Sequence, residues 1–378
     1  MKKFLKTAWI IACIPLLSIY ILASLSTFIP PATFSYIALL SLGFPYILVV
    51  FILFLLISFF AERKLAYVML IILPAGAFNT LNTFALRTEI PWQQNKDTTT
   101  LRVMTWNVQS FGNYLRKKKS NSAYSTNRDE MLATIKSYSP DVICFQEYRN
   151  IEHSKRRISI RKQLDTLGYT YSFCSKDRAG SYPKNPNVLL EEGVAIFSKL
   201  PFVDSGRVNI NHTEDNENMV YTTVLFNNKP VRVFTAHLQS FTIYADTSQD
   251  KNADENIYEI TYQRRKAAGY KVRETEVKHQ EEVAIIRNAI NQTKDAMIYC
   301  GDLNITPTSY NYSTLKGSNL QDAFLKKGSG MGNTFYKIGP TLRIDVCLAD
   351  TAMNVQQCKR DKIKLSDHYP VIADLSWK

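Results

Sequence analysis

The chain has 378 residues, with 46 Lys or Arg against 33 Asp or Glu for a formal net charge of +13, and it is 46% apolar and 21% charged. That length leaves room for more than one module. The 14 Gly, 14 Pro and six Cys exclude a collagen-like, low-complexity or disulfide-stapled chain.

The mean hydropathy of −0.16 averages two unlike pieces. From Thr7 to Ala61 there are 55 residues without Asp, Glu, Lys or Arg, and after Glu62-Arg63-Lys64 a further 22 uncharged residues run from Leu65 to Leu86. About 20 apolar residues cross a bilayer as a helix, which predicts three spans. These are Ala8 to Phe28, Phe34 to Phe60 and Leu65 to Phe84, with turns at Pro30-Pro31 and Glu62-Arg63-Lys64. Pro74, Gly76, Asn79 and Asn82 interrupt the third, so a segment lying on the surface is its alternative. For the first, Lys2, Lys3 and Lys6 before an apolar run also allow a cleavable signal peptide, but more apolar sequence follows at once.

Residues 1–95 carry a net +4 and residues 96–378 a net +9. The division is placed as a transmembrane region 1–88, a linker 89–100 and a globular domain 101–378. A basic domain favours anionic partners, although Arg116-Lys117-Lys118-Lys119 and Lys155-Arg156-Arg157 read equally as solvated faces.

In the polar domain, short β-rich runs alternate with amphipathic stretches, the pattern of an α/β domain. Strands are predicted at Leu101–Val108, Val142–Phe145, Gly193–Phe197, Val220–Phe226, Val231–Ala236, Ala296–Cys300 and Ile344–Leu348. Asn227-Asn228 should turn a hairpin. Helices are predicted at Arg128–Ser137, Ser159–Leu167 and Thr275–Ile290, the last with Val277, Val283, Ile286 and Ile290 on one stripe and Glu and Lys over the rest. Ala179–Leu189 and Phe241–Tyr262 read as irregular.

Chemically capable side chains recur at the ends of these runs. Asn107 ends the first, Glu147 follows Asp141–Gln146, His237 follows Val233–Ala236, and Asp302 with Asn304 follows Met297–Gly301. Asp345 lies in Arg343-Ile344-Asp345-Val346, and Ser366-Asp367-His368 precedes Tyr369-Pro370-Val371. A rigid sheet holds polar groups at strand tips, so these tips predict one shared site. Glu147 and Asn107 offer hard oxygen donors suited to Mg²⁺ or Mn²⁺, and the domain has no zinc-type Cys/His spacing.

The blocks Val103–Val108, Gln146-Glu147, Ala236-His237-Leu238, Gly301-Asp302-Leu303-Asn304, Arg343-Ile344-Asp345 and Ser366-Asp367-His368-Tyr369-Pro370, in this order from Leu101 to the C-terminus, resemble the endonuclease/exonuclease/phosphatase superfamily. With the apolar spans ahead of them, they look like a membrane-tethered bacterial branch of it. The resemblance implies an α/β fold, a four-layer sandwich of two packed, mainly antiparallel sheets flanked by helices, and hydrolysis of a phosphoester with a divalent metal, Mg²⁺ or Mn²⁺. It places the metal chiefly on Glu147, with Asn107 and Asp367 nearby. It makes Asp302 and Asn304 the water-activating and phosphate-orienting pair, and Asp345 the partner of His368. His237 is cast as proton donor or phosphate ligand, and which of the two His is the acid stays open. Tyr148, Arg149, Tyr182 and Lys184 are all candidates for the phosphate-touching side chain that the family often places between Glu147 and His237.

The expected function is therefore a membrane-anchored phosphohydrolase acting on a phosphodiester or phosphomonoester, in a nucleic acid, in a phospholipid or sphingolipid headgroup or in a soluble phosphorylated metabolite. A non-catalytic membrane adaptor retaining the fold is the alternative. Lys2, Lys3 and Lys6 ahead of the first span and Arg63-Lys64 between the second and third favour a cytoplasmic location for both. Three crossings then deliver the domain to the extracytoplasmic side of a bacterial inner membrane. Cys144, Cys300 and Cys347, in apolar strand patterns that suit free thiols, argue for the opposite side.

Overall fold

A computed structural model of the chain describes residues 2–88, 91–112, 121–153, 159–182, 185–210, 218–241 and 257–378. The basic runs 116–119 and 155–157, Lys184 and residues 242–256 lie outside the described residues, and Ile257–Tyr262, expected to be irregular, instead opens the helix Ile257–Asn291. The chain divides into two compact units. One comprises Met1–Thr83, Ser240–Glu281 and Ile305–Thr314; the other comprises Phe84–Gln239, Glu282–Asn304 and Leu315–Lys378.

The larger unit is built on two sheets. The first, in spatial order, contains β12 (Met353–Arg360), β13 (Val371–Trp377), β1 (Leu101–Asn107), β2 (Val142–Glu152), β5 (Asn185–Ser198) and β3 (Tyr171–Cys174), with β4 (Arg178–Tyr182) also paired to β5. The second runs β10 (Leu320–Asp322), β11 (Asp345–Asp350), β9 (Ala296–Asp302), β8 (Lys229–His237), β7 (Met219–Phe226) and β6 (Phe202–Val208). All pairs are antiparallel except one in each sheet, β1 with β2 and β8 with β9. Val103, Cys144, Val194 and Ile196 of the first sheet share one buried cluster with Val220, Val233, Ile298 and Cys347 of the second. Strands buried on both faces read as continuous apolar runs, which is why β1 and β9 stand out in the sequence. The opposite face of the first sheet, with Met104, Trp106, Ile143 and Phe145, clusters with Met131, Ile135 and Leu164 of the helices Asn121–Tyr138 and Ile160–Asp165. Ser159 caps the second of these by accepting from the Lys162 amide at 3.3 Å.

Ala179–Leu189 is not irregular: it contributes β4 and the start of β5, paired Ser181 with Leu189 and Ala179 with Glu191. The ribbon lacks apolar alternation because β4 and its flank are largely exposed, so burial left no period in the sequence. The turn at Asn227-Asn228 is as expected, with φ of 51° and 62°. The stripe on the helix Ile257–Asn291 is also corrected. Val283, Ile286 and Ile290 are buried, but Val277 is only half-buried while Glu276, His279 and Glu282 are buried.

Arg102 anchors one edge of this unit. Its guanidinium forks onto Asp374 at 2.7 and 2.8 Å and donates to the carbonyls of Gln93, Gln94 and Tyr138. It also lies 4.8 Å above the ring of Trp92. All six cysteines are buried and free, with Cys300 directly opposite Cys347 on β9 and β11.

In the smaller unit, α1 (Lys2–Ser24) and α2 (Ile37–Ala61) form a hairpin, followed by α3 (Arg63–Ile72), a 3₁₀ turn Leu73–Gly76 and α4 (Ala77–Thr83). Phe4–Ser24, Ile37–Ala61 and Arg63–Thr83 are each long and apolar enough to cross a membrane. Each boundary is set by local chemistry. The first helix stops at Ser24 rather than Phe28, because Asn79 donates to the carbonyls of Ala23 and Ser24 at 2.9 and 3.3 Å. Pro74 tightens the third helix into the 3₁₀ turn. There Gly76 lets Tyr20 approach: a Cβ on Gly76 would lie 2.3 Å from the Tyr20 hydroxyl, which donates to the Leu73 carbonyl at 2.6 Å. At the far end of the hairpin Lys6 pairs with Glu62.

This unit also holds two segments from later in the chain. Ser26 Oγ donates to the Thr308 carbonyl at 2.7 Å, and Thr308 Oγ1 donates to the Ser41 carbonyl at 2.7 Å. The Ala32 amide donates to Gln280 Oε1 at 3.0 Å, and Arg273 donates to Ser35 while its guanidinium stacks 3.6 Å from the Tyr36 ring. Buried Asn311 donates to the backbone and carboxylate of Glu276 at 2.9 and 2.6 Å.

Candidate active site

Parallel pairing is what brings the candidate residues together. In β1 and β2 Asn107 lies opposite Gln146, so β1 ends beside the middle of β2 where Glu147 sits, and in β8 and β9 His237 lies opposite Asp302, so those two strands end side by side. Asp345 opens β11 directly across from Asp302. Gly301 makes the β8–β9 approach close enough, since a Cβ there would meet the Ala236 carbonyl at 2.3 Å.

Two tips carry left-handed backbone. Glu147 has φ 50° and sits where the β2–β5 register slips between Phe145 and Tyr148, a bulge that re-aims its side chain. Asn304 also has φ 50°, on the turn leaving β9. Such dihedrals cost about 1–3 kcal/mol at a non-glycine residue and persist where the surroundings enforce them.

Asn107 is the hinge of the constellation. Its Nδ2 donates to Glu147 Oε1 at 3.1 Å and to Asp302 Oδ2 at 3.0 Å, while its Oδ1 accepts the Gln109 amide at 3.1 Å. Asp302, fully buried, also accepts the Asn304 amide at 3.0 Å. Both imidazoles face it: His237 Nε2 lies 3.6 Å and His368 Nδ1 3.5 Å from Asp302 Oδ2. His368 makes its shorter contact with Asp345 Oδ2, at 2.9 Å. Asn304 Nδ2 lies 3.2 Å from His237 Nε2 and donates to the Leu238 carbonyl at 3.0 Å. Asp367 joins through Gln109, whose Nε2 donates to its Oδ2 at 3.1 Å.

The electrostatics divide these groups into unlike roles. Burial alone would depress the His368 imidazole, but the Asp345 and Asp302 carboxylates override it and push its pKa up to about 10. Burial raises Asp345, with Asp302 adding repulsion. For Asp302 burial also pushes upward, but the two His and the hydrogen bonds from Asn107 and Asn304 outweigh it and hold the carboxyl below its ordinary value. One ionised acid thus sits between two imidazoles.

Among the described residues, Asp302, Asp345 and His368 bring potential ligand atoms within 4.8 Å of one another. Asp302 and Asp345 offer carboxylate oxygens in that trio and His368 a ring nitrogen. The oxygen donors outside it, Glu147, Asp367 and the Asn107 amide oxygen, are the hard set that suits a cation such as Mg²⁺. Asn107 turns its nitrogen rather than its oxygen to Glu147 in this arrangement. With Asp302, Asp345 and His368 within reach of one another, and Glu147 and Asp367 joined to them through Asn107 and Gln109, the residues present fit a divalent cation.

Of the four candidates for a phosphate-touching side chain, Tyr148 packs in the core against Phe111, Phe145 and Phe197, and Arg149 pairs with Glu192. The side chains of Tyr182 and Lys184 lie outside the described residues. The sequence reading missed Gln109, and it named Ser366 and Trp106 in its motif blocks without giving either a role. Ser366 Oγ donates to the Asn107 carbonyl at 2.7 Å, and Trp106 Nε1 donates to the His368 carbonyl at 3.1 Å. It also missed Phe335, whose ring lies 4.9 Å from the His368 ring. Gln109 could have been found, two residues beyond Asn107 at the same tip; Phe335 has no sequence signal.

The model of the Endonuclease/Exonuclease/phosphatase family matches residues 104–368, and the chain belongs to that family. A second model, described only as a domain of unknown function, matches residues 2–84. No curated protein matches. Among solved structures, the chain is similar to the catalytic domain of human Nocturnin with bound sulfate, at 18% identity and a TM-score of 0.51 over 74% of this chain and 94% of that one. It is similar too to an endonuclease/exonuclease/phosphatase from Beutenbergia cavernae DSM 12333, at 18% identity and a TM-score of 0.50 over 74% and 72%. At these identities the likeness concerns the fold.

Proposed function

We propose that this chain is a membrane-anchored, divalent-metal-dependent phosphohydrolase that cleaves a phosphodiester or phosphomonoester by attack of an activated water. Residues 1–88 are the membrane region, 89–100 the connection and 101–378 the catalytic domain. The observation that carries the reading is the placement of Asp302 Oδ2 within 3.0 Å of Asn107 Nδ2 and within about 3.6 Å of two imidazoles. An acid kept ionised at a strand tip can accept the proton of a water, and Asn304 beside it orients that water or a phosphoryl oxygen. His368, held as an imidazolium by Asp345, stabilises charge developing on the phosphoryl group, and His237 serves as proton donor or phosphate ligand. Glu147, with Asp367 and Asn107, would hold a Mg²⁺ or Mn²⁺ ion, which when bound supplies charge neutralisation for the phosphoryl oxygens.

In the smaller unit Lys6, Glu62, Arg63 and Lys64 gather at one end, while Ser26, Ser35 and Ser41 at the other end bind Thr308 and Arg273. With the basic end in the cytoplasm, the catalytic domain is extracytoplasmic. The test is hydrolysis of bis(p-nitrophenyl) phosphate by the purified full chain with Mg²⁺. Asp302→Asn should lower turnover by on the order of 10²-fold or more, and an undiminished rate in a folded variant would refute the site.

A further inference from the structure

We infer that Thr105, Gln146 and Thr235 form a buried crosspiece that fixes the spacing of the strand tips on the two sheets, with Gln146 and Thr235 as positioning residues for the reaction, an inference that rests on the phosphohydrolase reading above and deepens it. Asn107 and Glu147 belong to the first sheet, His237 and Asp302 to the second. A site shared between two layers works only while the layers keep one separation at this end. Side chains alternate across a strand, so Thr105 shares a face with Asn107 and Thr235 shares one with His237. Gln146 shares its face with Cys144, which packs between the sheets. Thr105, Gln146 and Thr235 are all 0% exposed.

Gln146 Nε2 donates across the layers to Thr235 Oγ1 at 2.8 Å. The same amide faces the Thr105 hydroxyl within the first sheet, with Nε2 at 3.2 Å and Oε1 at 3.3 Å from it. A buried amide is costly to strand without partners, and once satisfied it fixes direction as well as distance, which apolar packing does not. The crosspiece also sits where a displacement would reach both tips. Gln146 immediately precedes Glu147, and Thr235 pairs with Cys300, each two residues before the paired His237 and Asp302.

A second hydrogen bond crosses the layers at the site itself, from Asn107 Nδ2 to Asp302 Oδ2 at 3.0 Å. It cannot be the permanent strut. A hard cation is held by oxygen, so Asn107 must turn its amide over to offer Oδ1, and its Nδ2 then gives up both Glu147 and Asp302. Asp302, as the group that accepts the proton of the water, changes partners as well. The bond from Gln146 to Thr235 contains no reacting atom, so it is the crossing that outlasts this exchange. Without it the tips are free to part at the moment their spacing matters, and a misplacement of about 1 Å can cost on the order of 10²-fold in rate.

The experiment uses the full chain in detergent, with Mn²⁺ as the probe. Free Mn²⁺ is counted by electron paramagnetic resonance in the absence of substrate, and hydrolysis of bis(p-nitrophenyl) phosphate and thermal melts are measured on the same samples. Thr235→Val exchanges the hydroxyl for a methyl of like shape and should weaken Mn²⁺ binding about fivefold. At saturating Mn²⁺ it should lower kcat by about tenfold and leave KM unchanged. Thr235→Ser, which keeps the hydroxyl, should stay within about twofold of wild type in both, and Gln146→Leu should follow Thr235→Val. Wild-type Mn²⁺ affinity and kcat in Thr235→Val, whatever its melting temperature, would reduce the crosspiece to packing and overturn the inference while leaving the phosphohydrolase standing. A Thr235→Ser variant as impaired as Thr235→Val would overturn it too, since the hydroxyl would not be the cause. A wild-type chain that binds no Mn²⁺ and cleaves no ester would overturn the phosphohydrolase reading itself. Should Gln146→Leu fail to fold, the two Thr235 variants still decide.

Discussion

His368 sets its Nδ1 2.9 Å from Asp345 Oδ2, both side chains buried. The carboxylate fixes the ring's orientation and its protonation together, so the two act as one device. Asp345→Asn and His368→Ala should each lower turnover by on the order of 10²-fold. The double variant should lose little more than either single one, because removing one partner already disables the other. Steady-state rates of the three variants, with circular dichroism as a check on folding, measure this; full additivity would mean the pair is not coupled.

Removal of divalent metal should abolish phosphoester hydrolysis. Mg²⁺ or Mn²⁺ should restore it better than Zn²⁺, because the donors offered by Glu147, Asp367 and Asn107 are all oxygen. Activity that survives exhaustive chelation would contradict the donor assignment.

Glu276 supplies a pH dependence of stability away from the site. Burial raises its carboxyl, partly countered by the hydrogen bond from Asn311, to about 7. Its folded value therefore exceeds its unfolded one, so the contribution is complete below roughly 4.5 and is lost as pH rises through about 7. Thermal melts of the detergent-solubilised chain should show wild type losing stability between pH 5.5 and 8, whereas Glu276→Gln loses less over that window. Identical slopes for the two proteins would refute the account.

Asp374 neutralises Arg102 in the interior. Asp374→Ala leaves a buried guanidinium without its counter-charge and should destabilise the larger unit by about 3–5 kcal/mol. Urea unfolding read by tryptophan fluorescence would detect it, since Trp92 stacks on the same guanidinium. A loss under about 1 kcal/mol would show that Gln93 and Gln94 carbonyls suffice to hold the charge.

For topology, a reporter active only outside the cytoplasm should work when fused after Gln94 and fail near Lys64. The reverse result at Gln94 would place the catalytic domain in the cytoplasm and undercut the orientation read from Lys2, Lys3, Lys6, Arg63 and Lys64.

Much of the fold was legible in the sequence where burial is two-sided. Leu101–Asn107 and Ala296–Asp302 are continuous apolar runs because each lies between two packed layers. The β4–β5 ribbon was not legible, since a largely exposed ribbon leaves no period. The strand tips announced Asn107, His237, Asp302 and Asp345 as neighbours: β8 and β9 run parallel and end together, and β11 starts antiparallel across from the end of β9. The Glu147 bulge is decided by tertiary contacts and no residue type marks it, whereas Asn304 is of a type that tolerates left-handed backbone. Glu276 and Glu282 show the same limit: a carboxylate in a polar helix reads as solvated, and only the packing reveals that it is buried.

The six buried, unpaired thiols equip the protein with its own clock. Five lie in the sheet-bearing unit, where Cys144, Cys300 and Cys347 are sealed between layers and Cys174 and Cys358 lie nearer the surface, each at 8% exposure. An alkylating reagent can reach the sealed three only in molecules whose layers have parted. Their labelling rate therefore times the opening of the domain, and Cys174 and Cys358 report the fraying that precedes it.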